Sequence, residues 1–141
     1  AIHFSAIKNP LVRLQCLNSI ITGYADDVLQ RDYDKDGTNA ESYFFSHCVI
    51  RTPEVGEEYA DKFVSVVFED VEDTTRFGMK HFALIDGDEQ MYDFRLTEKS
   101  AAISAADPET ATSSDRDGKK RKEKPDAGAY EFIGDDNDNQ K

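Results

Sequence analysis

The chain is short of cysteine, of basic charge and of uninterrupted apolar sequence. Two cysteines in 141 residues, Cys16 and Cys48, are too few for the disulfide framework of a small secreted scaffold. Without a cluster of further Cys or His they do not make a zinc site either. Lys and Arg number 17 against 29 Asp and Glu, a net charge of −12. Binding to phosphate backbones needs a Lys/Arg surface, so this balance argues against nucleic acid and disfavours anionic membrane surfaces. It fits a soluble protein that takes up cations. No apolar run approaches the roughly 20 residues that span a bilayer. Hydrophobic residues make up 38%, which leaves length for long polar loops around a modest core. Familiar reactive signatures are missing too: there is no nucleophile elbow in a Ser/His/Asp order, no glycine-rich phosphate loop and no H-E-x-x-H. Signal-peptide features are absent and residue 1 is Ala, so the expectation is a processed product or fragment that begins in mid-pattern.

What is present is β-forming sequence in short runs. Leu17, Ser19 and Ile21 fall on one face of an extended segment that ends at Gly23. A polar insertion, 25–41, separates it from YFFSHCVIRT (43–52), which Pro53 ends. KFVSVVFED (62–70), HFALID (81–86) and MYDFRL (91–96) follow. LNSIIT (17–22) aligns with SHCVIR (46–51) at an offset of 29 residues, placing Asn18 over His47, Ser19 over Cys48 and Ile21 over Ile50. Repeats of this period signal stacked architectures. Short β-runs with polar spacers and no helical periodicity predict an all-β chain, although SAAISAAD (100–107) also reads as one short helix. Strand parity places Ser19 and Cys48 inside and Cys16 on the opposite side from both, so the two cysteines are expected not to bridge.

DFRLTEKSAAISAAD and DRDGKKRKEKPDAGAYEF resemble the terminal segments of bacterial right-handed parallel β-helix proteins of the choice-of-anchor and pectate-lyase-like groups. LNSIITGYADD and FSHCVIRT resemble their inner repeats. Ala101 stands where the family usually has Pro, Ala106 where it has Gly, and His47 where it has Asn. The resemblance implies a right-handed parallel β-helix represented by its last few coils and a C-terminal cap: coils over 1–99, a closing cap over 100–133, and a disordered acidic tail over 134–141. It implies an exported protein of the bacterial surface or extracellular space. It also implies that Ala1 to Ile21 packs on further N-terminal coils of the same protein.

Candidate chemistry is sparse. Asp32, Asp34 and Asp36 alternate ahead of Gly37, as in the first half of a calcium loop. The twelfth position is Tyr43, so a Ca²⁺ ion held there would use Glu41 or backbone carbonyls instead. Asp115 and Asp117 precede Gly118 and a basic run, Lys119 to Lys122, and read as a turn with local charge neutralisation. Asp26 and Asp27, with Arg51 or Lys62 as base, are the residues a polysaccharide lyase of this fold would use, but Arg is a poor base unless strongly perturbed. By parity His47 points outward; His3 and His81 are scattered. Tyr24, Tyr33, Tyr43, Phe44 and Tyr59 offer faces for stacking a sugar, with Phe44 the one expected in the core. The functional expectation is a non-catalytic, glycan-handling part of a surface protein with a polysaccharide as partner. The alternatives are a calcium-dependent polysaccharide lyase with its active part upstream, and a purely structural cap.

Overall fold

The computed structural model describes residues 2–32, 35–36, 39, 41–73 and 80–134. The acidic tail beyond Gly134 lies outside them. Among the described residues ten strands form in chain order: β1 Ile2–Ser5, β2 Leu11–Leu17, β3 Ile20–Ile21, β4 Leu29–Asp32, β5 Glu41–Ser46, β6 Val49–Ile50, β7 Phe63–Val64, β8 Val67–Phe68, β9 Phe82–Asp86 and β10 Met91–Leu96. A 3-10 turn, Glu57–Tyr59, lies between β6 and β7. Among the described residues there is no α-helix, and hence no helix long and apolar enough to cross a membrane.

Two parallel three-stranded sheets share the same chain segments. β2, β5 and β7 form one, and β3, β6 and β8 the other. Leu17 pairs with Ser46, and Ser46 with Val64. After a two-residue corner, Ile20 pairs with Val49, and Val49 with Val67. The offset of 29 residues is therefore the actual register between the first two segments. The first residue of each corner, Asn18, His47 and Ser65, sits in the left-handed region at φ 51, 53 and 51°. This conformation turns the chain sharply between the sheets. It also resets the alternation of side chains, because parity holds only along continuous strand. Cys16 before the corner and Cys48 after the next one consequently both point inward, into one apolar cluster with Ile21, Phe45 and Ile50. The expectation that the cysteines face opposite sides is thus overturned by the left-handed corners.

The core is built from rings stacked in register. Phe45 pairs with Phe63, their ring centroids 5.2 Å apart and nearly parallel at 5°. Phe4 and Tyr43 extend the column, 5.1 Å apart. Such ring pairs add about 0.5–1.5 kcal/mol each beyond area burial. β6 serves two cores: Ile50 faces the ring cluster, while Val49 faces a second one made of Leu96, Ala102, Ala106 and Ala127.

All-β is correct, but the right-handed parallel β-helix expected from the resemblance is not what forms. The described strands fall into four separate sheets of two or three strands, with no closed or solenoid sheet. β1 pairs only with β4, and the last sheet, β9–β10, is antiparallel. Strands of two residues, as in β3, β6, β7 and β8, carry too few backbone bonds to propagate a long ladder. After β8 the chain pairs with itself through a tight Gly87–Gln90 turn instead of continuing the stack. β4 also arises inside what reads as polar insertion, because Val28 is fully buried there and anchors it.

The segment 100–133 packs on the second core with almost no regular structure; its only described bridge joins Ser114 to Lys120. SAAISAAD is a series of turns, closed by Ser104 at φ 56°. The Ser104 amide donates to Asp126 Oδ1 at 2.7 Å, so it serves a distant carboxylate in place of a helical carbonyl.

Candidate functional site

Among the described residues, exposed aromatic rings gather along the β9–β10 hairpin. Tyr24 is 86% exposed, Tyr92 51% and Phe94 48%, with Leu84, Ile85 and Met91 beside them. The Tyr92 and Phe94 rings lie parallel at 3°, with centroids 5.9 Å apart. Phe82 meets Phe94 edge-on at 5.3 Å. The hairpin register shifts between Asp93 and Leu96, so one extra residue on β10 bends the strand at Phe94. Thr22–Tyr24 close the opposite wall. A Cβ at position 87 would come within 3.1 Å of the Tyr24 hydroxyl, which places the end of that ring against the hairpin turn. Together Thr22, Tyr24, Lys80, His81, Tyr92 and Phe94 bound a cleft of about 540 Å³, and no Asp or Glu lines it.

Beneath the cleft lies a buried polar row. His81 Nδ1 meets Ser100 Oγ at 3.1 Å, and His81 Nε2 stands 3.4 Å from Glu69 Oε2. That second approach lacks hydrogen-bond geometry, and Nε2 has no hydrogen-bond partner among the described residues. Burial pushes the His81 pKa below its usual value, against the opposing pull of Glu69. Glu69 also faces Arg51 at 3.3 Å. Ser, His and Glu are thus aligned, yet not as a working nucleophile. Ser100 is buried, and its Oγ already accepts the Ala102 amide at 3.2 Å. What the arrangement presents to a ligand is the aromatic cleft above it.

Those residues singled out from sequence that the structure describes have the following neighbours. Asp32 Oδ2 is 2.6 Å from His3 Nε2. Glu41 is 3.7 Å from the Arg31 guanidinium. Asp36 is exposed, while Asp34 and Gly37 lie outside the described residues. Calcium prefers six to eight oxygens; among the described residues no three of His, Cys, Asp and Glu gather as a ligand set. Arg51 is engaged by its neighbours: Nε donates to the Ala25 carbonyl at 2.9 Å, and Asp26 lies 3.6 Å away. Asp27 Oδ1 accepts from the Leu29 amide and the Thr52 hydroxyl. Lys62 lies over the Tyr43 ring. His47 is half-buried, its Nδ1 2.8 Å from Ser46 Oγ.

Of the aromatic candidates, Tyr24 alone enters the cleft; Tyr33 is outside the described residues. Tyr43 and Tyr59 instead accept hydrogen bonds from Arg31, at 2.6 and 3.1 Å. Tyr92 and Phe94 were not singled out, though their two-residue spacing puts both on one face of a strand. Asp115 opens the turn that Gly118 closes, and its carboxylate is buried. Its Oδ1 accepts the Asp117 and Lys119 amides and its Oδ2 the Glu131 amide. Burial raises its pKa, but those amides and Arg121 outweigh this and hold the carboxyl below the ordinary range.

Comparison with protein-family models, with curated proteins and with solved structures finds no match for this chain. The class that fold and site define is an all-β protein with an open aromatic cleft.

Proposed function

We propose that this chain is a non-catalytic glycan-binding part of an exported bacterial surface protein. The observation that carries the reading is the cleft between Tyr24 and the parallel Tyr92–Phe94 pair. The apolar face of a pyranose suits an exposed ring face, and rings fixed by a strand lose little freedom on binding. Thr22, Lys80 and the two tyrosine hydroxyls supply polar partners around the ring faces. A lining without carboxylates, in a chain of net charge −12, accepts neutral or weakly acidic sugars. Export rests on the resemblance of the GAYEF ending. The test is retention on a glycan array, followed by titration of the retained sugar against the wild type and Tyr92→Ala. Retention without turnover, and a drop of about tenfold or more in the variant, supports the reading. No retention, or equal affinity in a folded variant, overturns it.

A further inference from the structure

We infer that Cys16 and Cys48 form a reversible dithiol–disulfide pair that ties the end of β2 to the β5–β6 corner. Cys16 stands opposite Phe45 in the β2–β5 ladder, and the left-handed residue His47 brings Cys48 back to the same interior side. Cys48 Sγ lies 3.5 Å from the Cys16 carbonyl oxygen and 3.3 Å from that of Ser46, and both thiols belong to one apolar cluster. Cys48 lies three residues beyond Phe45, the strand partner of Cys16, and it is the approach of its Sγ to the Cys16 backbone that brings the two residues together. The two sulfurs differ in access: Cys48 is buried and Cys16 is partly open.

This asymmetry assigns the roles. Contact with the Cys48 thiol pulls Cys16 down to about 6, and Ser19 helps, while Cys16 itself and burial push Cys48 up. Cys16 is therefore the thiolate that meets an outside oxidant, because the thiolate is the nucleophile. With a small-molecule disulfide, Cys16 sulfur attacks one sulfur, the S–S bond breaks and one thiolate leaves. The leaving thiolate takes the Cys48 proton. Cys48 sulfur then attacks Cys16 sulfur, closing the protein disulfide and releasing the second small thiolate, which takes from water the proton that Cys16 gave up on ionising. Two protein thiols are oxidised by two electrons, and one small disulfide is reduced to two thiols.

The experiment treats the full chain, native, with oxidised glutathione. The reaction is quenched, the protein is denatured, free thiols are alkylated and the intact mass is read. The expected product has lost two hydrogens, carries no alkyl group and no glutathione, remains monomeric, and returns to two alkylatable thiols with dithiothreitol. A Cys48→Ser chain keeps glutathione on Cys16, and a Cys16→Ser chain stays unmodified. Two alkylated cysteines after treatment, a wild type that retains glutathione, or a disulfide between chains overturns the inference. The wild-type mass alone decides it if either variant fails to fold.

Discussion

The β5–β8 stretch and the closing segment 100–133 satisfy their buried backbone by opposite means. In the first, neighbouring strands supply the partners and the side chains between them are apolar, Phe45 and Ile50 being fully buried. In the second, carboxylates take the place of the neighbouring strand. Asp126 accepts the Ser104 and Phe132 amides, and Glu131 accepts the Lys122 and Asp126 amides together with Arg121. Arg121 in turn donates to the Asp126 and Gly128 carbonyls. A buried charge is tolerated only where its hydrogen-bonding capacity is filled. Irregular chain can therefore be as well fixed as sheet, provided each carboxylate serves several amides.

The sharpest way to break this comparison is to remove one anchor from each region. Glu131→Ala removes the carboxylate partner of Arg121 and leaves two amides without their acceptor, and should cost about 3–5 kcal/mol. Phe45→Ala leaves a cavity under the ring stack and should cost a similar amount, about 3–5 kcal/mol. Amide exchange beside urea unfolding separates the two. Glu131→Ala should lose protection at the Lys122 and Asp126 amides that Glu131 accepts, and Phe45→Ala along β5 and β7. Loss spread alike over both regions in either variant would mean that neither region has an anchor of its own.

Next in size is the joint between the regions. Asn18 accepts the Asp107 amide at 2.8 Å, donates to Thr110 Oγ1 at 3.1 Å, and offers its carbonyl to the Gly128 amide at 2.8 Å. Asn18→Gly keeps the left-handed corner and the backbone bond but deletes the two side-chain bonds, a loss of about 1–3 kcal/mol. Amide exchange should show lost protection at Asp107 and in the closing segment, and little change at Ile50. Uniform loss across the chain would make Asn18 a general stabiliser and not a joint.

A smaller effect comes from His81. Burial lowers its pKa in the folded chain, so the unfolded chain takes up the proton more readily. Stability is then full above the ordinary histidine value of about 6.5 and declines as pH falls below it towards the lower folded value. Glu69 and Ser100 face the ring directly, and Arg51 acts through Glu69. His81→Gln should flatten the stability slope between pH ~7 and ~5; an unchanged slope would place the acid sensitivity elsewhere.

Much of the strand region was legible in the sequence. The offset of 29 residues anticipated the pairing of Ile21 with Ile50, and Gly118, at φ 78°, does close the turn after Asp117. The left-handed corners were hidden because Asn18, His47 and Ser65 are not glycines, and a parity argument run across them inverts. The anchors of the closing segment were hidden because Asp115, Asp126 and Glu131 have no apolar pattern; their partners are backbone amides, which every sequence supplies. The cleft was half visible. Tyr24 stood out, but it meets Tyr92 and Phe94 only when the hairpin folds back beside Gly87.

Ser65 offers the finest discrimination, since it has the same backbone conformation as Asn18, at φ 51°, without Asn18's duties. A left-handed L-residue carries about 1–2 kcal/mol of crowding between Cβ and carbonyl. Glycine removes this but loses about 0.5–1 kcal/mol through chain entropy. Ser65→Gly should therefore raise stability by about 0.5 kcal/mol, read as an increase of about 1–2 °C in Tm. The same substitution at Asn18 should lower it. If Ser65→Gly also destabilises, the corner is held by more than its backbone geometry, and the loss at Asn18 can no longer be assigned to the closing segment alone. Opposite signs at two positions of equal φ would separate the turning of the chain from the docking of the segment that covers it.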